Sequence, residues 1–197
     1  MSKLPLVLLA LAIATPAEAG ARTSTSYTQK GEFVSASYYD TSSTGCSSTF
    51  VEISGWAGTT HTRSSGAPTT STDVYAYVGS YDYCLGTFEY YYGTLTSTSL
   101  SGSGATGSIS GSGDLYDAYT GAAYPVTISA TVAADGGSYS GKSFTRGTSP
   151  GANYFYRANG SYTYGAASIT LNGTTYTQAL GGTFGKSTSG TVTIISD

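Results

Sequence analysis

Between Asp73 and Cys84 the chain alternates between two kinds of side chain. Tyr75, Tyr77, Tyr81 and Tyr83 share one parity, and Val74, Ala76, Val78 and Cys84 share the other. Successive side chains of a β-strand point to opposite faces, whereas a helix brings residues three or four apart together. The segment therefore reads as a strand with a tyrosine face and a small apolar face. Asn153 to Tyr164 behaves in the same way: Tyr154, Tyr156, Tyr162 and Tyr164 share one parity, and Phe155, Arg157 and Thr163 the other. No segment after residue 19 carries a helical period, and 27 glycines spread along the chain weigh against helices. The expected fold class is all-β: an antiparallel β-sandwich, or a barrel-like closure, of roughly ten short strands with internal hairpin repeats.

Strands are expected at 32–39, 48–57, 73–83, 86–96, 105–113, 153–164 and 183–195. Two further hairpins are read from turn chemistry. Asp135-Gly136 stands between Pro125–Ala133 and Ser138–Thr145, and Asn172-Gly173 between Ala167–Leu171 and Thr174–Gln178. Both dipeptides tolerate the positive φ of tight hairpins. Asn159-Gly160 is a candidate turn that would split its segment in two. Thr59 to Thr72 reads as the longest irregular loop, and loops of that length are often functional. The Ser/Gly-rich stretch 97–113 is the candidate sub-boundary of a chain otherwise read as a single domain over 20–197.

Two stretches repeat one another and carry both cysteines. Cys46-Ser47-Ser48-Thr49-Phe50 and Cys84-Leu85-Gly86-Thr87-Phe88 share a Cys-x-x-Thr-Phe pattern, and each follows a Tyr-Asp pair, Tyr39-Asp40 or Tyr81-Asp82. A looser third copy starts at Tyr116-Asp117. The pattern describes a repeated hairpin whose first two copies are joined by a Cys46–Cys84 disulfide. Closing such a loop stabilises by roughly 4 kcal/mol on a chain-entropy basis.

The N-terminus has the form of a secretory signal peptide: Lys3, an apolar run from Leu4 to Ala14, and Ala17-Glu18-Ala19 as the cleavage site, with Gly20 as the first mature residue. Export favours the disulfide and places the protein in the periplasm, outside the cell or at its surface. The leader takes one basic and one acidic residue with it, so the net charge stays at −3. Charged residues make up 10% of the chain, against about 25% in typical proteins. With no basic run along the sequence, nucleic acid is not an expected partner. No run after the leader is long and apolar enough for a membrane-spanning helix.

The signal peptide, the Tyr-Asp pairs, Gly45-Cys46-Ser47-Ser48-Thr49-Phe50 and Tyr81-Asp82-Tyr83-Cys84 together resemble a group of exported bacterial all-β proteins with no known activity. The resemblance spans most of the chain after the leader. It implies an exported β protein and no catalytic residue.

The sequence offers little for catalysis. His61 is the only histidine, and no Gly-x-Ser-x-Gly elbow accompanies it. One histidine and two paired cysteines do not furnish a zinc site, so neither metal nor cofactor is expected. Glu52 and Glu89 follow the Phe of each repeat and would serve as a paired-carboxylate hydrolase site if the hairpins brought them together. Asp40, Asp82 and Asp117 recur at strand ends, where turn chemistry accounts for them. The aromatic inventory says more: 19 tyrosines, 6 phenylalanines and Trp56. A tyrosine-lined strand face suits stacking on sugars with hydroxyls at hand, and it equally suits a ladder of cross-strand ring pairs. The leading expectation is a non-enzymatic surface or matrix protein with a polysaccharide or other surface component as partner, bound through Trp56, Tyr75, Tyr77, Tyr81 and Tyr83. The alternatives are a self-assembling matrix protein, a secreted hydrolase and an outer-membrane barrel.

Overall fold

The computed structural model describes residues 23–63, 67–149, 152–177 and 179–195. The proposed leader, 1–19, lies outside them. Every regular element among the described residues is a strand: β1 (Thr23–Thr41), β2 (Ser47–Thr62), β3 (Thr69–Asp82), β4 (Thr87–Ser101), β5 (Thr106–Asp117), β6 (Ala123–Ser149), β7 (Ala152–Leu171), β8 (Thr174–Tyr176) and β9 (Ala179–Ile195). All pairings are antiparallel. They form one sheet in the order β6-β5-β4-β3-β2-β1-β9-β7-β8, and a further β6–β7 pairing closes it into a ring. Of the two closures expected, the molecule adopts the barrel-like one. Most strands are longer than anticipated.

The ring is not even along its length. β5 pairs β6 only from Thr106↔Ala133 to Tyr116↔Ala123, and β3 pairs β4 only from Val74↔Leu95 to Asp82↔Thr87. Beyond those limits β6, β7, β9, β1, β2 and the start of β3 continue as an open sheet. The closed half encloses an aliphatic core that includes Val34, Val51, Ile53, Val74, Leu95, Ile109, Leu115, Ile128, Val132 and Ile169, with Phe184 at its lower limit. Burying such side chains contributes about 1.5–3 kcal/mol each. These aliphatic groups point into the ring, the reverse of a barrel that faces lipid. The β4–β5 connection forms a floor beneath them. Gly102 is buried there, and its N–H donates to Glu32 Oε2 at 2.9 Å.

Three details depart from the expected strand map. Asp135-Gly136 does not turn the chain back. The Asp135 side chain accepts the Gly137 N–H at 2.9 Å, and β6 runs on through a register shift between Ala134 and Ser138. The same local bond that closes a hairpin here builds a bulge. It lies where β6 leaves β5, so β6 acts as two segments, one in the ring and one in the open sheet. Asn159-Gly160 likewise lies within an unbroken β7. The supposed loop 59–72 is largely strand, with Thr59↔Thr70 and Thr60↔Thr69 paired. By contrast, Asn172-Gly173 is the tight turn expected between β7 and β8, with φ of 48° and 84°. Residues 97–113 form the end of β4, the floor connection and most of β5.

Candidate functional site: the outer aromatic face

The sequence repeat corresponds to three similar turns at the closed end. Asp82 Oδ1 accepts the N–H groups of Cys84 and Leu85, both at 2.9 Å, and Asp117 Oδ1 accepts those of Tyr119 and Thr120 at 2.8 and 2.7 Å. Two backbone N–H bonds hold the Asp117 carboxyl below its ordinary pKa. Gly45, Gly86 and Gly121 close the three turns at φ of 71°, 68° and 70°. The Asp residues thus perform turn chemistry. Among the described residues no group of three or more His, Cys, Asp or Glu could hold a metal ion.

Cys46 and Cys84 form the expected disulfide, with Cα atoms 5.2 Å apart. It joins the β1–β2 and β3–β4 turns just beyond the Ser47↔Asp82 pair. Cys84 is exposed, although its parity with Val74, Ala76 and Val78 pointed to the core side. β3 ends at Asp82, so the alternation no longer governs residue 84.

Within β3 the alternation holds. Val74 and Ala76 are fully buried in the ring, and Tyr75 and Tyr77 point outward. The nine strands form one sheet, so among the described residues no second layer lies over this outer face. Tyr75 is 42% and Tyr83 53% exposed, while Tyr77 and Tyr81 are half-buried by neighbouring rings. A further ordered array of rings stands on β4. Phe88, Tyr90 and Tyr92 form a staircase with centroids 6.0 and 5.9 Å apart and planes within 13° and 26° of parallel. Tyr77 joins it from β3 at 6.3 Å from Tyr90, and Tyr81 packs against both Phe88 and Tyr83. Phe88, Tyr90 and Tyr92 share one parity. Tyr91, between them, points inward against the core and so disguises the pattern.

Trp56 lies apart from this cluster. Its ring covers Gly31 and Gly58, the backbone positions beside it on β1 and β2, where an added Cβ would collide with the indole. Phe50 covers Gly79 in the same manner. Four of the five expected site residues therefore share one aromatic surface, and Trp56 leans away from it.

The two glutamates of the repeats do not meet. Glu52 stands beside Tyr77 on the outer face. Glu89 has the parity of Tyr91 and Leu95, which point into the ring. Burial pushes the Glu52 carboxyl above its ordinary pKa. The sheet itself separates these carboxylates, so they form no acid–base pair. His61 is exposed near the open end of β2.

The fold and this surface define a class, a closed antiparallel β protein clad outside in tyrosine. No family model, curated protein or solved structure matches this chain.

Proposed function

We propose that this chain is an exported, non-enzymatic protein of the cell surface or extracellular matrix that binds carbohydrate on its outer aromatic face. The observation that carries this reading is the uncovered ring cluster on β3 and β4. Tyr75 and Tyr92 are 42% and 46% exposed on adjacent strands, and each ring brings a hydroxyl. A broad platform of this kind fits a polysaccharide chain better than a small enclosed molecule, because it offers width without depth. Tyr75, Tyr77, Tyr81 and Tyr83 remain the proposed contact residues, joined by Phe88, Tyr90 and Tyr92, whereas Trp56, over Gly31 and Gly58, stands outside this platform. The test is retention on soluble neutral polysaccharides of the wild type and of the Tyr75→Ala/Tyr77→Ala variant. Binding by the wild type and its loss in the variant support the reading. Equal retention of two folded proteins leaves the rings as a structural ladder.

A self-assembling matrix protein is the second reading, favoured by one feature. From Ser138 to Ser149, β6 pairs with β7 alone and leaves its other edge without a strand partner among the described residues. Such an edge is a template for a further strand. Concentration-dependent fibres that form without any polysaccharide would favour this reading.

A further inference from the structure

The open half of the sheet gathers cations that the sequence keeps far apart. The parity that points into the ring at Val34, Ile169 and Phe184 continues beyond the floor onto the inner face of the open sheet. On that face stand Lys186, Lys30, Lys142, Arg157 and Arg146, contributed by β9, β1, β6, β7 and β6. The register sets their layout. Lys142↔Asn159, Asn159↔Thr188 and Lys30↔Thr188 make one row across four strands, which places Lys142 and Lys30 about 14 Å apart at the usual strand spacing. All five basic side chains are exposed. Among the described residues, Glu32 is the acidic group on this inner face. It pairs with Lys186 at 3.2 Å and accepts the Gly102 N–H, so its charge is already engaged at the floor.

Hydroxyl and amide groups lie between the cations. Ser140, Lys142, Asn159, Ser161, Lys186 and Thr188 line a shallow depression of about 440 Å³. Asn159 Oδ1 is buried there without a hydrogen-bond partner. Buried polar atoms of this kind are usually satisfied, so a missing partner points to a ligand or to water. A hydroxyl group can donate or accept, and it would satisfy Asn159 whichever way the amide is turned.

We infer that this inner face binds an acidic polysaccharide, with sugar carboxylates at Lys142, Arg157 and Lys30 and sugar hydroxyls at Asn159 and Thr188. Nucleic acid fits the layout less well. Duplex DNA carries a charge about every 1.7 Å of its axis, whereas Lys142 and Lys30 stand about 14 Å apart with Asn159 and Thr188 between them, and Phe144 and Phe155 lie opposite Arg157 and Arg146 on the same face. DNA also has few hydroxyl donors to offer Asn159. The inner face is separate from the outer aromatic face, so either can fail alone.

The experiment measures binding of the disulfide-bonded protein to polygalacturonate, to its fully methyl-esterified form, and to single-stranded oligothymidylate. Tighter binding to the acid than to the ester is expected, with the difference shrinking as salt rises from about 50 to about 200 mM. Lys142→Gln/Arg157→Gln should weaken acid binding roughly tenfold, and so should Lys30→Gln/Arg146→Gln, with circular dichroism unchanged. Tyr75→Ala/Tyr77→Ala should leave the difference between acid and ester as it was. The proposal is overturned by absence of binding to polygalacturonate, by equal binding of acid and ester, or by tighter binding to oligothymidylate. Full retention by both folded cation variants overturns it as well. Loss of neutral-polysaccharide binding in the tyrosine variant alone, with the difference between acid and ester intact, separates this inference from the reading of the outer face.

Discussion

The closed and open halves of the sheet share five long strands, yet they hold their shape by different means. The closed half has an aliphatic core, ring closure by β5 and β4, and a disulfide across two turns. The open half has paired backbone, edges without a strand partner among the described residues, and an inner face on which Phe144, Phe155 and Val192 stand among charged and hydroxyl groups. One strand thus changes from a wall of the core to a polar platform within a few residues. On β1 the inward parity runs Ala36, Val34, Glu32, Lys30, and Glu32 marks the change. Stability is concentrated where the ring closes, which leaves the open half to carry polar and charged groups that a core could not accept.

The sharpest way to break this comparison is to truncate one phenylalanine in each half. Phe184→Ala removes the ring at the base of the core and should cost about 3–5 kcal/mol in denaturant unfolding. Phe144→Ala, in the open half and 67% exposed, should stay within about 0.5 kcal/mol. A large loss at Phe144 would mean that the open half has a packed layer of its own.

The disulfide comes next. Cys46→Ser/Cys84→Ser should lower stability by about 2–4 kcal/mol, read from the unfolding midpoint with and without reductant. An unchanged midpoint would show that strand pairing alone holds the closed end.

Glycines sharpen the comparison on a smaller scale. An added Cβ at Gly79 would run into the Phe50 ring, whereas at Gly160 it makes only ordinary contacts. Gly79→Ala should cost about 1–3 kcal/mol, and Gly160→Ala in the open half should be neutral or stabilising. Equal effects would deny that the outer rings need bare backbone beneath them.

The smallest effects are titrations of opposite sign. Glu52 is raised above 4.5 by burial, so stability should fall as pH rises from 4.5 through its folded value. Glu32 is lowered, first by the Gly102 N–H and then by Lys186, against some desolvation. Its contribution should be present above 4.5 and lost as pH falls through its folded value. Thermal midpoints against pH for Glu52→Gln and Glu32→Gln test both. Glu52→Gln should raise the midpoint at neutral pH and Glu32→Gln should lower it.

Much of the closed half was legible because its information is local. Alternation placed Val74 and Ala76 inside and Tyr75 and Tyr77 outside. Asn172-Gly173 marked a real turn, and the Cys-x-x-Thr-Phe repeat marked two turns close enough to be bridged. Asp135-Gly136 misled because one side-chain bond to a nearby N–H serves a bulge as well as a hairpin. The staircase on β4 was hidden by crowding, since Tyr91 between Tyr90 and Tyr92 blurs the parity. The cation face could not be seen at all. Lys30 and Lys186 lie near opposite ends of the sequence, and only the β1–β9 register, with Glu32 beside Lys186, brings them together.

The shift in β6 has a consequence for how such a chain can change length. Between Ala134↔Gly165 and Ser138↔Thr163, β6 advances four positions while β7 advances two. The surplus is even, so the strand leaves the bulge in the same phase in which it entered. Lys142 keeps the side of the sheet that Val132 holds inside the ring. A single residue inserted or deleted there would invert that phase for the rest of the strand, turning Lys142 and Arg146 outward and Tyr139 inward. Insertions and deletions at this corner are therefore tolerable in twos and disruptive in ones.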